Sequence, residues 1–257
     1  MEKPIALITG GSRGIGFGIA SELAKNGFDL AINGVRDQKN AKANLEKLQQ
    51  HEAKVVYLQG DISKTADRNT ILQGMKEHFG KINLLVNNAG VAPKTRNDVF
   101  EITEDEYDYV VNVNERGTFF LTQIFAQWMA ELRNDNPNDP MTIINVTSVS
   151  AVLASTLRMA YCMSKAGASM MSKTMAVKMA EFKIPVYEIR PGFMDTDMIE
   201  AVREHYQELA KSGSTLEPRI GKPKDVGKVV SALATGQIPY ATGQIINVDG
   251  GLTLERM

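Results

Sequence analysis

The chain has 257 residues, 43% apolar and 23% charged, with a formal net charge of −1. This length is enough to bury the core of one α/β domain, and the near-neutral charge gives no reason to expect nucleic acid or an anionic membrane as partner. No apolar run is long enough to span a bilayer, and the start Met1-Glu2-Lys3-Pro4 lacks the basic-then-apolar layout of a signal peptide. One cysteine, Cys162, rules out an internal disulfide and fits a reducing cytoplasm; with three histidines besides, no metal site is expected.

Short apolar runs alternate with longer amphipathic segments, the pattern of βαβ units around a parallel sheet. Strands are expected at 5–9, 28–33, 54–59, 82–87, 142–147, 185–190 and 244–248. Helices are expected at 14–26, 38–51, 65–79, 104–132, 160–182 and 224–234. Seven strands with six connecting helices describe one doubly wound sheet over residues 1–257, with no room for a second domain. Residues 133–140, with two prolines, read as a surface loop. Residues 193–221 follow a strand end and read either as a lid or substrate loop, or as a plain helical excursion.

The first strand runs into Thr9-Gly10-Gly11-Ser12-Arg13-Gly14-Ile15-Gly16 and then a helix. Such a turn lets backbone N–H groups approach a pyrophosphate, which the positive helix N-terminus also attracts. The spacing is G-x-x-x-G-x-G, not G-x-G-x-x-G, and taken alone it also suits a structural turn. Further on, Tyr161 and Lys165 stand four residues apart, on one helical face. An adjacent ammonium favours the phenolate and would lower the tyrosine pKa into a useful range, although such a pair is also met as one packed aromatic and one exposed lysine.

Together these residues resemble the short-chain dehydrogenase/reductase family, whose T-G-x-x-x-G-x-G matches residues 9–16. The likeness recurs at Asp61-Ile62, at Asn87-Asn88-Ala89-Gly90, at Pro191-Gly192 with Thr196, and at residues 243–251. It implies a single-domain Rossmann fold, a doubly wound seven-stranded parallel sheet with helices on both faces. It also implies hydride transfer between a nicotinamide dinucleotide and a ketone or secondary alcohol. In the implied tetrad Ser148 bonds the substrate oxygen and Tyr161 donates its proton. Lys165 binds the nicotinamide ribose and tunes Tyr161, and Asn114 holds a water that links Lys165 to solvent. The implied cofactor site comprises Gly10, Ser12, Arg13, Gly14, Ile15, Gly16, Arg36, Asp61, Ile62, Asn88, Ala89, Gly90, Tyr161, Lys165, Pro191, Gly192, Met194 and Thr196.

The second strand ends near Gly34, without the acid that usually binds a ribose 2′-OH. Arg13 and Arg36 favour NADP(H) through a 2′-phosphate; Asp37, close by, would instead suit NAD(H). Residues 144–148, 191–198 and 243–251 are most similar to 3-oxoacyl-(acyl-carrier-protein) reductases. Other stretches depart from that group. Val186-Tyr187-Glu188-Ile189-Arg190 replaces a small apolar run, Glu181-Phe182-Lys183 stands where an arginine is usual, and the extended loop 133–140 lies where that group has a short basic turn. An acyl carrier protein as partner is therefore left open, because an acidic carrier needs basic charges to steer it. A sugar, polyol or other small-alcohol dehydrogenase would use the same tetrad, and a non-catalytic dinucleotide sensor the same fold.

Cys162 reads as a small helix side chain rather than a nucleophile, and Met159, Met163, Met170, Met171, Met175 and Met179 as packing between helices. Two long helices carry more than one apolar stripe: 104–132 through Phe119, Phe120, Ile124 and Trp128, and 160–182 through its methionines and alanines. With the resemblance, they imply a homotetramer.

Overall fold

The computed structural model describes residues 2–256. Its strands are β1 (Ile5–Ile8), β2 (Asp29–Gly34), β3 (Val55–Gln59), β4 (Leu84–Asn87), β5 (Thr142–Val146), β6 (Val186–Pro191) and β7 (Ile245–Val248). They form one parallel sheet in the order β3-β2-β1-β4-β5-β6-β7. Chain order reverses at β1, which pairs with β2 on one side and β4 on the other. Ligands in such sheets bind at this switch, outside the carboxyl ends of the strands.

Helices cover both faces, which is why the central strands read as continuous apolar runs; every residue of β1, β4 and β5 is buried. Alternating side chains feed two cores. Ala6 and Ile8 point into one with Ile19, Leu23, Val226 and Val230, from α1 (Gly14–Lys25) and α8 (Pro223–Ala234). Leu7 points into the other with Ile71, Met75, Leu121, Phe125 and Met179. These come from α3 (Thr65–Phe79), α5 (Thr118–Asp135) and α6 (Met159–Met179). α2 (Gln38–Gln49) adds Ala41, Leu45 and Leu48 to the first core.

The expected helix 104–132 is not continuous. α4 (Glu104–Val111) gives way to a π turn at Asn112–Gly117 before α5 begins. A Cβ on Gly117 would lie 2.8 Å from the carbonyl oxygen of Ile62, so the bulge sits where the helix crosses the loop after β3. Such one-turn bulges gather at functional sites, and this one carries Asn114.

α5 also runs to Asp135, into the expected loop 133–140, because Arg133 closes the turn with donors to the carbonyls of Pro137 (2.8 Å) and Asp139 (2.7 Å). Helix 160–182 tightens to a 3-10 turn at Ala180–Phe182 and stops where Lys183 turns left-handed, φ 55°.

Residues 193–221 hold a 3-10 turn (Asp197–Val202), α7 (Arg203–Leu209) and a π turn (Ala210–Ser214). The excursion has a small core of its own, with Phe193 stacked on Tyr206 at 4.4 Å, and Met194 bridges to Gly221 at its base.

Two packing expectations need correction. Met171 and Met179 are buried, but Met163 and Met170 are 47% and 58% exposed, because they lie on the helix face turned away from the sheet. Trp128 belongs to the monomer core, tilted against Phe125 at 6.1 Å, and the guanidiniums of Arg68 and Arg116 cover Phe120. The spare stripe on α5 is thus thinner than its sequence suggests. Among the described residues no helix is long and apolar enough to cross a membrane.

Candidate active site

The glycine turn lies at the carboxyl end of β1 and leads into α1, which has no acidic residue in its first turn to offset its positive end. A Cβ on Gly16 would stand 2.3 Å from the Gly10 carbonyl oxygen, so only glycine lets the turn close on itself. Thr9 ties this turn to the loop after β4: its hydroxyl accepts the backbone N–H of Asn88 and of Ala89, each at 2.9 Å. Asn88 returns its side-chain amide to the carbonyls of Thr9 (2.9 Å) and Gly10 (3.3 Å). Ser12 is buried and held by Asn44, which donates to its carbonyl at 3.0 Å. The expected pyrophosphate cradle is therefore one stitched unit.

Beside it, a cavity of about 450 Å³ is lined by Val35, Gln59, Gly60, Asp61, Lys64, Asp67 and Thr70, at the ends of β2 and β3. The Asp61 carboxylate caps its own turn, accepting from the backbone (2.9 Å) and hydroxyl (2.7 Å) of Ser63. Ile62 is 3% exposed and its side chain belongs to the core with Leu58 and Ile71, so only its backbone can meet a ligand. Met194 is likewise buried and offers backbone alone. Thr196 lies over the glycine turn, where a Cβ on Gly14 would be 3.5 Å from its methyl, and Gly192 packs on Asp249 beyond β7.

Arg13 does not stand free: it pairs with Asp197 at 3.2 Å, joining the glycine turn to the start of the 193–221 excursion. Arg36 is exposed, its carbonyl accepting the Tyr57 hydroxyl at 2.7 Å. Asp37 is engaged by Lys39 at 3.4 Å.

Ser148 stands two residues past the end of β5, and its oxygen accepts the Ser150 N–H at 3.0 Å, fixing it at the head of the 3-10 turn Val149–Ala151. Tyr161 and Lys165 rise from the first turns of α6. The Lys165 ammonium lies 5.7 Å from the Tyr161 ring centre, 5% exposed, and donates to the Val146 carbonyl at 3.3 Å. Burial pushes the Tyr161 phenol above its ordinary range, against the opposing pulls of the Ser148 hydroxyl and the Arg158 charge. The expected lowering by Lys165 does not emerge here: burial is the largest influence, and the influences that oppose it come from Ser148 and Arg158. Burial also lowers Lys165 to about 8, partly offset by the negative charge of Glu188.

Asn114 is 1% exposed. Its side chain accepts the Val91 N–H (2.8 Å) and donates to the Val91 carbonyl (3.0 Å) and the Ser164 hydroxyl (3.2 Å). It thus ties the loop after Gly90 to the helix of Tyr161 and Lys165.

The structure brings Asn114, Ser148, Tyr161 and Lys165 together at the carboxyl edge of the sheet beside the glycine turn. Two hydroxyls and an ammonium so grouped can polarise a substrate oxygen and give it a proton. A buried cluster behind them, Thr147, Ser169, Glu188 and Arg190, has no place in the motif reading; its one signal was two charged residues in an otherwise apolar strand.

A larger cavity, about 550 Å³, lies between residues 215–221 and the Gly250-Gly251 turn, and no tetrad residue lines it. Among the described residues no group of His, Cys, Asp or Glu side chains is placed to hold a metal ion.

Comparison with known proteins agrees with this geometry. The pattern of a protein family described as enoyl-(acyl carrier protein) reductase matches residues 10–253. The 3-oxoacyl-(acyl-carrier-protein) reductase of Thermotoga maritima is 33% identical over 259 residues, covering 99% of each chain. A hydroxynaphthalene reductase-like protein of Metarhizium anisopliae is 33% identical over 264 residues, covering 96% of this chain and 94% of its own. The crystal structure of a Brucella melitensis 3-oxoacyl-(acyl-carrier protein) reductase in complex with NAD superposes with a TM-score of 0.95 at 37% identity, over the full length of both chains. With the tetrad assembled on a fold shared from end to end, the chain belongs to the short-chain dehydrogenase/reductase family, oxidoreductases that interconvert ketones and secondary alcohols with a nicotinamide dinucleotide.

Proposed function

We propose that this chain reduces the ketone of a substrate with an apolar arm, a 3-oxoacyl thioester being the first candidate. The observation that carries the reaction is the convergence of Ser148, Tyr161 and Lys165. Ser148 and Tyr161 hold the carbonyl oxygen, and Tyr161 gives it the proton that completes the alcohol. Lys165 binds the ribose hydroxyls and stabilises the phenolate that Tyr161 becomes on giving up its proton, and Asn114 keeps that lysine's surroundings in place and holds a linking water.

The residues fit a nicotinamide dinucleotide: the glycine turn leaves room only for backbone, the α1 N-terminus lacks an acid, and a cavity opens at Asp61. When bound, that cofactor supplies the hydride that reaches the carbonyl carbon. Gly10, Ser12, Gly14, Ile15 and Gly16 would meet the pyrophosphate. Asp61 with the Ile62 backbone would meet the adenine, and Asn88, Ala89 and Gly90 the ribose side. Pro191, Gly192, the Met194 backbone and Thr196 would meet the carboxamide.

Exposed apolar side chains support the substrate reading: Val152, Leu153 and Leu157 between Ser148 and Tyr161, and Met198 just past Thr196. A polyol would leave such surface unsatisfied, and the sugar or polyol dehydrogenase is the second reading. Residues 193–221 would form the substrate side. A non-catalytic sensor would have no use for an assembled tetrad. An acyl carrier protein remains a candidate donor of the thioester, as it is by name for the Thermotoga and Brucella relatives. Free Cys162 fits a cytoplasmic enzyme.

NADP(H) is the proposed preference. Arg36 is exposed at the end of β2 while Asp37 is engaged by Lys39, and Arg13 can join Arg36 on leaving Asp197. The NAD complex of the Brucella relative favours NAD(H) as the second reading.

A homotetramer is proposed from the α6 face bearing Met163, Met170 and Val177. Steady-state turnover of 3-oxoacyl thioesters beside sugars and polyols, each with NADPH and NADH, tests the function; turnover of polyols alone overturns the substrate reading.

A further inference from the structure

β6 carries a carboxylate where a parallel strand covered on both faces calls for an apolar side chain. Glu188 is 1% exposed and Arg190 9%. One Glu188 oxygen accepts from the Thr147 hydroxyl and from Arg190 Nε, both at 2.7 Å; the other accepts from the Ser169 hydroxyl at 2.8 Å. Arg190 Nη2 closes the ring by donating to Ser169 at 2.8 Å.

Three elements meet at this ring. Thr147 immediately precedes Ser148, and Ser169 lies four residues beyond Lys165 and eight beyond Tyr161, on the same face of α6. Glu188 also stands opposite Asn145 in the sheet, and Asn145 donates to Ser172 of α6 at 3.0 Å. Apolar packing alone would let a helix slide or roll on a sheet, whereas two polar contacts one turn apart fix both motions. Buried ion pairs seldom stabilise more than apolar residues of the same volume, so stability does not account for this one.

We propose that Glu188, countered by Arg190, is a positioning residue for the reaction: it holds the Thr147–Ser148 strand end against the helix of Tyr161 and Lys165, and it supplies the buried negative charge that Lys165 faces. The direction of the Lys165 titration agrees, since Glu188 is the charge that opposes its lowering by burial. Tyr161 on its own helix lies beside Lys165, with Arg158 ahead of Tyr161 and Arg190 behind Glu188; at Gly90 the π turn presents neutral Asn114, while its Glu115 carboxylate packs on Gly167 of α6. Glu188→Gln keeps the shape and the acceptor but removes the anion and leaves Arg190 positive, so Lys165 should lose its proton more easily.

The test is a titration of the full chain with 13C-labelled lysine, Lys165 being assigned by its loss in Lys165→Met. The Lys165 midpoint should be near 8 in the wild type. It should be lower by about one pH unit or more in Glu188→Gln, and return toward the wild type in Glu188→Asp. An unchanged midpoint in folded Glu188→Gln overturns the proposal.

If Glu188→Gln does not fold, the double variant Glu188→Leu/Arg190→Leu replaces the whole pair. It should fold and show a smaller lowering in the same direction, because the more distant Arg190 charge is lost with the nearer anion, and a midpoint at or above that of the wild type there overturns the proposal equally. The kinetic counterpart rests on the ketoreductase reading: kcat should fall about ten-fold with little change in KM, its alkaline limb moving to lower pH. Should the wild type turn over no carbonyl, that reading fails while the titration still decides the role of Glu188.

Discussion

The Asn114 carboxamide closes on both backbone groups of Val91, at 2.8 and 3.0 Å, across 23 residues of sequence. It does so from a π turn, and its third contact reaches Ser164, the neighbour of Lys165. The bulge in the helix is what turns Asn114 inward to make all three. Asn114→Ala would leave both Val91 groups unpaired beside a buried lysine. Each orphaned buried group costs about 1–3 kcal/mol, so the variant should unfold at lower denaturant and bind NADPH more weakly, read by chemical denaturation and cofactor fluorescence. A variant of wild-type stability would remove the clamp from this account.

Tyr161→Phe deletes the proposed proton donor and little else, because the ring still packs beside Lys165. Turnover should fall by about three powers of ten or more while cofactor affinity is kept. The sign of the pH effect follows from the lysine. Its pKa is lowered to about 8, so it is cationic below that value and neutral above it. Cofactor binding that uses the ammonium should weaken as pH rises through about 8, and Lys165→Met should be weak at every pH. The same lowering makes the folded chain bind fewer protons than the unfolded chain between about 8 and the ordinary lysine value of 10.5. On this account the lysine opposes folding below about 8 and ceases to as pH climbs toward 10.5. Binding that is flat from pH 7 to 9.5 would contradict the assignment.

The strands and the glycine turn were legible because parallel strands covered on both faces must be continuously apolar, and because Gly16 tolerates no Cβ. Ser148, Tyr161 and Lys165 were legible through spacing and family likeness together. Less legible were features set by tertiary contact. Helical periodicity runs through Asn112–Gly117 without a break, and the bulge falls where Gly117 crosses close to the Ile62 carbonyl, a contact no local pattern shows. Trp128 reads as spare apolar surface until Phe125 and the sheet are seen to enclose it. Ile62 and Met194 were matched as site residues by position, yet their side chains turn into the cores. Glu188 and Arg190 registered only as a departure from a pattern, since nothing local shows that two charges will meet Ser169 inside the protein.

Cofactor choice should depend on the two arginines unequally. Arg13 has to leave Asp197 to reach a phosphate, while Arg36 has only water to give up. Arg36→Ala should therefore cost more NADPH efficiency than Arg13→Ala, with NADH kcat/KM spared in both. A bidentate guanidinium–phosphate contact is worth about 1.5–3 kcal/mol, which is roughly ten-fold or more in the ratio of the two cofactors. Equal wild-type kcat/KM for NADPH and NADH would reject the phosphate reading.

Assembly should depend on α6. Met163, Met170 and Val177 recur every seven residues, are 47%, 58% and 78% exposed, and share that face with exposed Ala166, small enough to let another helix approach closely. On α5, Phe119 is 37% exposed, whereas Phe120 is partly covered by Arg68 and Arg116. A self-complementary stripe of this kind suits a two-fold axis, where the same face meets its copy. Helix α6 also carries Tyr161 and Lys165, so pairing would brace the site from behind. Light scattering at micromolar concentration should then give about four times the chain mass of 28.2 kDa. A mass near two chains would keep the α6 pairing and remove the second interface; a mass near one chain would reject assembly altogether. Met170→Asp places a charge at the centre of the stripe without touching either core. It should reduce the mass to that of a smaller species and lower kcat with it, and full activity in a monomeric Met170→Asp would show that the bracing is not needed.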